Sequence, residues 1–573
     1  MTGLFIRLMC LAGALGAGAS TLAGPQPGQI VVDPAHPAWF KYEGGGPFYM
    51  CGPGDPEGFL YRGTRNADGT RNGDQLALIN KMAGTGANCI YLVAIRSHGG
   101  DGDSLQNPYV DGDLTKGLDD DILNQWETWF AAMDAQRITI FFILYDDSAS
   151  PFGKALPANG QLHPSEVTFI NTMVNRFKHH KHLIWCVAEE AGEGLSKAHA
   201  IKIAEQIKLQ DDRQHPVAIH QNNGTSFDFN GNAAFNQFAV QWNVNTAKEL
   251  HAGTVAAWNN VGGLVNINMA EFAPLSTGLE LQRKIWAVAM GGGYSMILEM
   301  DIVSTPVSDL ETCGRLVRFM EATRFNVAAP HDELAANDTD YVLAAPGLVY
   351  LAYGEGGSRY GLQMLRGNYL VKWYDPAGGA WIDAGSRAVP VFGVQVFDKP
   401  AAVPGDAALY VSRTVPAPAS GPFPVPGAVG VSLNVQLSWT AGAGASEHEV
   451  YFGTIPPGEP RGRRSTTLFN PGTLLPRTTY YWRIDEVNEQ GITPGAVWSF
   501  TTGSVPADYD GDGDVDQEDF GAFQMCLSGM DVAVVPADCL WADLNADGPV
   551  DQADAVLFLN CLSGPNVEAD CLP

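Results

Sequence analysis

The chain predicts a multidomain protein: a (β/α)8 TIM barrel over residues 24–330, two antiparallel β-sandwich modules, and a small α-helical module built on a paired acidic loop. Three observations carry this. Eight short, continuously apolar runs alternate with helix-like stretches between residues 45 and 325. Past Pro330 the runs become short and alternating, with Gly, Asn and Pro between them. The last 70 residues contain one twelve-residue, oxygen-rich pattern twice. At 573 residues the chain is too long for one hydrophobic core, so several domains are expected.

In chain order, residues 1–23 read as a secretory signal. Arg7 gives a short basic start, residues 8–22 are apolar and small, and Thr21-Leu22-Ala23 offers small residues for cleavage. The stretch is too short to span a bilayer, and nothing later is long enough. A secreted or cell-surface location follows as an expectation. The eight strand candidates are residues 47–51, 89–95, 138–145, 183–187, 216–220, 238–242, 264–269 and 294–298. They are apolar throughout rather than alternating, as strands buried on both faces should be. Helix-like segments at 73–85, 122–135, 164–179, 196–209 and 279–290 lie between them. Repeated βα units of this length predict the barrel. A doubly wound sheet is the alternative, but no Gly-rich phosphate loop follows the first strand.

Residues 331–412 read as a small antiparallel sandwich, residues 413–424 as a Pro-rich linker, and residues 425–503 as a second β module. In that module Leu437-Ser438-Trp439, Glu449-Val450-Tyr451-Phe452, Thr479-Tyr480-Tyr481-Trp482 and Val497-Trp498-Ser499-Phe500 resemble a fibronectin type III-like sandwich, with the aromatics expected in its core.

Residues 504–573 hold the repeated loop. Asp508, Asp510, Asp512, Asp514, Asp516 and Asp519 are matched by Asp543, Asn545, Asp547, Pro549, Asp551 and Asp554 at loop positions 1, 3, 5, 7, 9 and 12. Position 6 is Gly in both, which allows the sharp turn that gathers early and late ligands. This is the EF-hand calcium spacing, in which position 7 gives only its backbone carbonyl, so Pro549 is tolerated. Two Ca2+ ions are the expected cofactor, and none is expected for catalysis. The segment has fifteen Asp or Glu and no Lys or Arg, about half of the net charge of −29. Such a balance argues against nucleic acid or an anionic membrane as partner. Two half-hands in tandem resemble a type I dockerin, which implies a cohesin-like or cell-surface protein as partner. Cys526, Cys539, Cys561 and Cys571 crowd the same segment, where an oxidising compartment permits two disulfides. Cys51, Cys89, Cys186 and Cys313 are spread through the large domain and are expected to be buried thiols.

Barrel chemistry lies at the C-terminal ends of the strands. The polar residues there are Asp55 and Glu57, Arg96 and His98, Asp146 and Asp147, Glu189 and Glu190, His220 and Asn222, Trp242 and Asn243, Glu271, and Glu299 with Asp301. Carboxylates, amides and a Trp in one ring suit a saccharide, because rings stack on sugar faces and carboxylates bind hydroxyls. Leu183-Ile184-Trp185-Cys186-Val187-Ala188-Glu189-Glu190 and Asn266-Ile267-Asn268-Met269-Ala270-Glu271 resemble the strand-four and strand-seven motifs of clan A glycoside hydrolases. That resemblance implies Glu190 as acid/base and Glu271 as nucleophile, with Glu189 where the family usually has Asn. Gly52-Pro53-Gly54-Asp55 and Val371-Lys372-Trp373-Tyr374-Asp375-Pro376 resemble secreted apiosidase-like barrels, whose C-terminal domain is often labelled collagen-binding. Together these imply a retaining glycosidase acting on a carbohydrate. The substrate contacts expected are Asp55, Arg96, His98, Asp146, Asp147, Glu189, His220, Asn222, Trp242, Asn243 and Glu299. The competing reading is a non-catalytic carbohydrate-binding or adhesion protein on an inactive barrel. Glu189 is expected to help keep Glu190 protonated by like-charge repulsion.

Overall fold

The computed structural model of the protein describes residues 24–573 apart from 55–57, 97–101, 489–490, 504–506, 511–512, 529–535, 546, 566, 568 and 570–573. The predicted leader, Asp55, Glu57, His98, Asp512 and Cys571 therefore lie outside the described residues. The chain divides between Ser412 and Arg413 into two compact units.

The first unit holds eight parallel strands: β1 (Cys51–Pro53), β2 (Cys89–Ile95), β3 (Thr139–Tyr145), β4 (Leu183–Ala188), β5 (Val217–Gln221), β6 (Gln237–Gln241), β7 (Asn266–Glu271) and β8 (Gly293–Ile297). Their spatial order is β1-β8-β7-β6-β5-β4-β3-β2. Backbone hydrogen bonds from Asn88 to Cys51 (3.1 Å) and from Tyr91 to Gly54 (3.0 Å) join β2 to the β1 edge. Gly54 is needed here, since a Cβ would lie 2.3 Å from the Leu298 Cα. Every residue of β2, β3 and β4 is buried, which is why these runs are apolar throughout.

Helices α1 (Gln75–Met82), α2 (Asp120–Ala135), α3 (Pro164–Phe177), α4 (Lys197–Gln210), α5 (Ala247–Val261), α6 (Gly278–Met290) and α7 (Val307–Glu321) surround the strands. The crossover from β5 to β6 is a loop. Two corrections to the expected elements have simple causes. Apolar run 47–51 serves two sheets: Pro47–Phe48 pairs with Phe40–Tyr42 in an antiparallel sheet, and only Cys51 onward enters the barrel. That small sheet, completed by Ile30–Val32, caps the N-terminal end, where the Ile30 N–H donates to the Lys181 carbonyl (2.9 Å). Helices α5 and α7 were not anticipated, although Thr246 and Glu249 form a reciprocal capping box at the start of α5.

A two-sheet antiparallel sandwich follows, starting at Ala329–Pro330 and ending at Ala407–Arg413. It is fastened to α6 and α7. Arg283 makes a two-pronged ion pair with Asp406 (2.9 and 3.0 Å), Trp286 stacks on Tyr353, and Phe319 stacks on Trp381.

In the second unit, strands Ser420–Phe423, Leu437–Thr440 and Leu468–Phe469 face a larger sheet containing Glu447–Gly453, Thr479–Asn488 and Val497–Thr502. Trp439, Trp482, Trp498, Phe452 and Tyr480 fill its core. The Pro-rich segment is shorter than 413–424, because Ser420–Phe423 within it pairs with Leu437–Thr440 as a strand. Two further helices, α8 (Gln517–Cys526) and α9 (Gln552–Cys561), pack Phe523 against Phe558 at 4.7 Å. Cys526 and Cys539 are disulfide-bonded, and Cys51, Cys89, Cys186 and Cys313 are buried free thiols.

Candidate active site

Glu190 follows β4 directly and takes a left-handed conformation (φ 35°, ψ 49°). A non-glycine residue pays for that geometry, so neighbouring contacts must hold it. Three do. The Glu190 N–H donates to His220 Nδ1 on β5 (3.4 Å), the Asn222 amide donates to Glu190 Oε2 (3.3 Å), and the Glu190 carbonyl accepts from the Glu193 N–H (2.8 Å).

Glu271 ends β7. Its Oε1 accepts from the Gln241 amide (2.7 Å) and the Asn243 amide (3.1 Å). The Gln241 amide also interacts with the Glu190 carboxyl, where it opposes protonation. One side chain, Gln241, acts on both carboxyls. β4 and β7 thus present their terminal acids to a shared space, with β5 and β6 between them in the sheet.

Burial pushes the Glu190 carboxyl up to about 7, and the charges of Glu271 and Glu193 push the same way. The acids that chiefly raise it are thus Glu271 and Glu193, where the sequence pointed to Glu189. The Glu189 side chain is buried and interacts with Asp146 and Tyr91 instead. Consecutive residues at a strand end point to opposite sides, so adjacency in sequence does not place the two carboxyls together. His220 is wholly buried, and burial drives its imidazole down to about 4. It is therefore neutral, with Nδ1 accepting from the Glu190 backbone.

The other expected contacts separate into two layers. Arg96 and Asp146 are buried and paired (Nε to Oδ2, 3.3 Å), and Arg96 also donates to Gln106 (3.2 Å). Their place is beneath the rim, where burial raises the Asp146 carboxyl despite the Arg96 charge. Asp147, Trp242, Asn243, Asn222 and Glu299 are half-buried or exposed at the mouth. Burial raises Asp147 and Glu299, the latter also under the charge of Glu271. The Trp242 indole donates to the Glu249 carbonyl (3.4 Å) and rests on Gly253 of α5, where a Cβ would lie 2.3 Å from the indole nitrogen.

Gln241 and Glu193 were missed. Gln241 lies inside the apolar run 238–242 rather than after it, and Glu193 sits one turn past the acid. Glu-x-x-Glu at a strand end was the available signal.

A cavity of about 380 Å³ borders this region, lined by Gly192, Gln221, Asn222, Asn223, Lys197 and Phe229. A larger one, about 650 Å³, lies among residues preceding β5 and β6 and the capping sheet, including Lys41, Lys208, His215 and Asn236. It is at the opposite end of the barrel from the paired acids.

Neither models of protein families nor curated proteins match this chain. Among solved structures, it is similar to a glycoside hydrolase family 5 protein from Bacteroides vulgatus ATCC 8482 (14% identity, TM-score 0.50). That likeness covers 68% of this chain and 94% of the other. A second structure, described as a glycoside hydrolase, is 14% identical with a TM-score of 0.49, covering 68% of this chain and 97% of that one. The likeness is one of fold, that of a parallel eight-strand barrel.

In the second unit, the acidic loops converge. Asp519 Oδ1 accepts from the Tyr509 and Asp510 N–H groups (2.6 and 3.4 Å), and Asp554 Oδ1 accepts from Leu544 and Asn545 (2.8 and 3.1 Å). Gly513 and Gly548 have φ of 96° and 106°, the turn that position 6 requires. Carboxylate oxygens of Asp508, Asp510 and Asp519 gather within 4.8 Å of one another, as do those of Asp514, Asp516 and Asp519, and of Asp543, Asp547 and Asp554. Asp508, Asp514, Asp519 and Asp554 are buried in a segment with no basic residue. This donor set fits a hard, oxygen-seeking cation.

Proposed function

We propose that the protein is a secreted retaining glycoside hydrolase, with Glu190 as acid/base and Glu271 as nucleophile. The observation that carries the reading is the pair of acids at the ends of β4 and β7, reached by one Gln241 amide, with the Glu190 carboxyl raised by burial. Glycosidic cleavage needs a proton for the leaving oxygen and a nucleophile at the anomeric carbon. Glu190, held near 7, keeps its proton at mildly acidic pH, as a general acid should. Glu271 accepts two amide N–H bonds, from Gln241 and Asn243, which fix the direction of its carboxyl. The retaining outcome is read from the resemblance of the two strand ends to clan A glycoside hydrolase motifs, whose paired glutamates act as acid/base and nucleophile.

The sugar lies between them, on Trp242 and within reach of Asn243, Asp147 and Glu299. The leaving group points towards the cavity beside Asn222 and Gly192. A mouth lined with carboxylates favours neutral glycans over uronates or sulfated chains. The paired loops of residues 508–554 bind two Ca2+ ions as a dockerin-like module, with the loop carboxylates, the Asn545 amide oxygen and backbone carbonyls as ligands. A cohesin-like or cell-surface protein is the partner proposed for it. An inactive carbohydrate-binding barrel would have no use for an acid held near 7 facing a second, amide-oriented carboxyl.

The test is a panel of plant and algal polysaccharides, then Glu190→Ala and Glu271→Ala on a substrate the parent cleaves. Both variants should lose hydrolysis of unactivated substrate by several orders of magnitude. Unchanged activity in either one would show that the wrong carboxylate has been chosen.

A further inference from the structure

We propose that Glu193 is a positioning residue that holds Glu190 in place and supplies the negative charge that keeps a proton on it; this rests on Glu190 being the acid of the reaction proposed above. Glu190 is followed by a single helical turn, Ala191–Gly194. The turn is closed by the Glu193 N–H donating to the Glu190 carbonyl (2.8 Å), which brings residue 193 back beside residue 190.

Glu193 is then fixed from other elements. Its Oε1 accepts from the Asn222 amide (2.9 Å), and the same amide donates to Glu190 Oε2 (3.3 Å). Its Oε2 accepts from the Ser148 hydroxyl (3.0 Å), and its carbonyl accepts from the Lys154 ammonium (2.7 Å). One amide therefore spans two carboxyls, and oxygens of Asp147, Glu190 and Glu193 lie within 4.8 Å of one another.

Carboxyls this close do not all ionise cheaply. Glu193 is exposed to solvent, and an amide and a hydroxyl donate to its oxygens. Glu190 is half-buried and takes the proton. Around Glu190 stand Asp147 from the end of β3, neutral His220 and Asn222 from β5, Gln241 from β6 and Glu271 from β7. Glu271 also repels charge on Glu190, but as nucleophile it loses that charge once the glycosyl-enzyme forms. Glu193 touches no bond that changes, so its field persists through both steps.

The experiment uses the full chain with 13C-labelled Glu carboxyls. The Glu190 resonance is assigned by its loss in Glu190→Gln and followed through a pH titration in the parent, in Glu193→Gln and in Glu193→Asp. Glu193→Gln keeps the shape and removes the charge. Its Glu190 titration should fall by about one pH unit. The basic limb of kcat/KM on an unactivated substrate should fall with it. Glu193→Asp should restore most of both. An unmoved Glu190 titration in Glu193→Gln overturns the proposal, and so does a lowered melting temperature with both pH curves unchanged, which is the mark of a purely structural role. Parent-level activity in Glu190→Gln overturns the acid assignment itself, an outcome separate from the titration result.

Discussion

Raising pH through 7 should switch off hydrolysis of an unactivated glycoside, and the size of the effect follows from the site. An ordinary glutamate with a value near 4.5 is only about 3% protonated at pH 6, whereas a carboxyl near 7 is about 90% protonated. Burial and two neighbouring charges thus enlarge the competent acid population roughly thirty-fold at pH 6. The sign is set by the role. The acid must carry its proton when the glycosidic bond breaks, so activity is full below the raised value and is lost as Glu190 ionises. Between pH 6 and pH 8, kcat/KM should fall about ten-fold. The assay measures kcat/KM from pH 4.5 to 9 on two substrates the parent cleaves. One is a natural oligosaccharide and the other an aryl glycoside whose phenol leaves without protonation. The basic limb should be present for the first and weak for the second. A limb centred near 4.5, or an equal limb for both substrates, would refute the reasoning, because Glu190 would then not be the proton donor.

The remaining predictions concern the rim and the acidic module. Gly253→Ala places a methyl group where the Trp242 indole now rests, so Trp242 must move; KM should rise about five-fold with kcat little changed, and an altered Trp emission spectrum with unchanged KM would show that Trp242 binds no sugar. Calorimetric titration of the metal-free chain with Ca2+ should show two sites, since the buried acids of residues 508–554 have no basic partner among residues 504–573; absence of uptake would remove calcium from the account.

Much of the barrel was legible because its strands are buried on both faces. Cys89–Ile95 and Thr139–Tyr145 have no exposed residue, so their sequence carries one uninterrupted apolar signal. The first strand was misplaced because Pro47 to Pro53 feeds two sheets in succession, a division that only tertiary pairing decides. At the site, strand ends point to Glu190 and Glu271, since barrel chemistry sits at those ends. Their support was not legible. His220 reads as a rim residue but is wholly buried beneath the Glu190 backbone, and Arg96 and Asp146 spend their charges on each other. Glu189 lies beside Glu190 in sequence yet faces Asp146, whereas Glu193, three residues on, is brought back by a single turn. Side-chain direction, not sequence distance, decides which charges meet.

The most direct test of the central claim is to catch the covalent intermediate. In Glu190→Ala, an activated aryl glycoside that the parent cleaves should still be attacked by Glu271, but the glycosyl-enzyme should then accumulate for want of a base to activate water. Intact-mass measurement should show one added glycosyl residue, and peptide mapping should place it on Glu271; azide should release it as a glycosyl azide of retained configuration. An adduct on any other residue, or turnover in this variant with no adduct and an inverted product, would contradict the account.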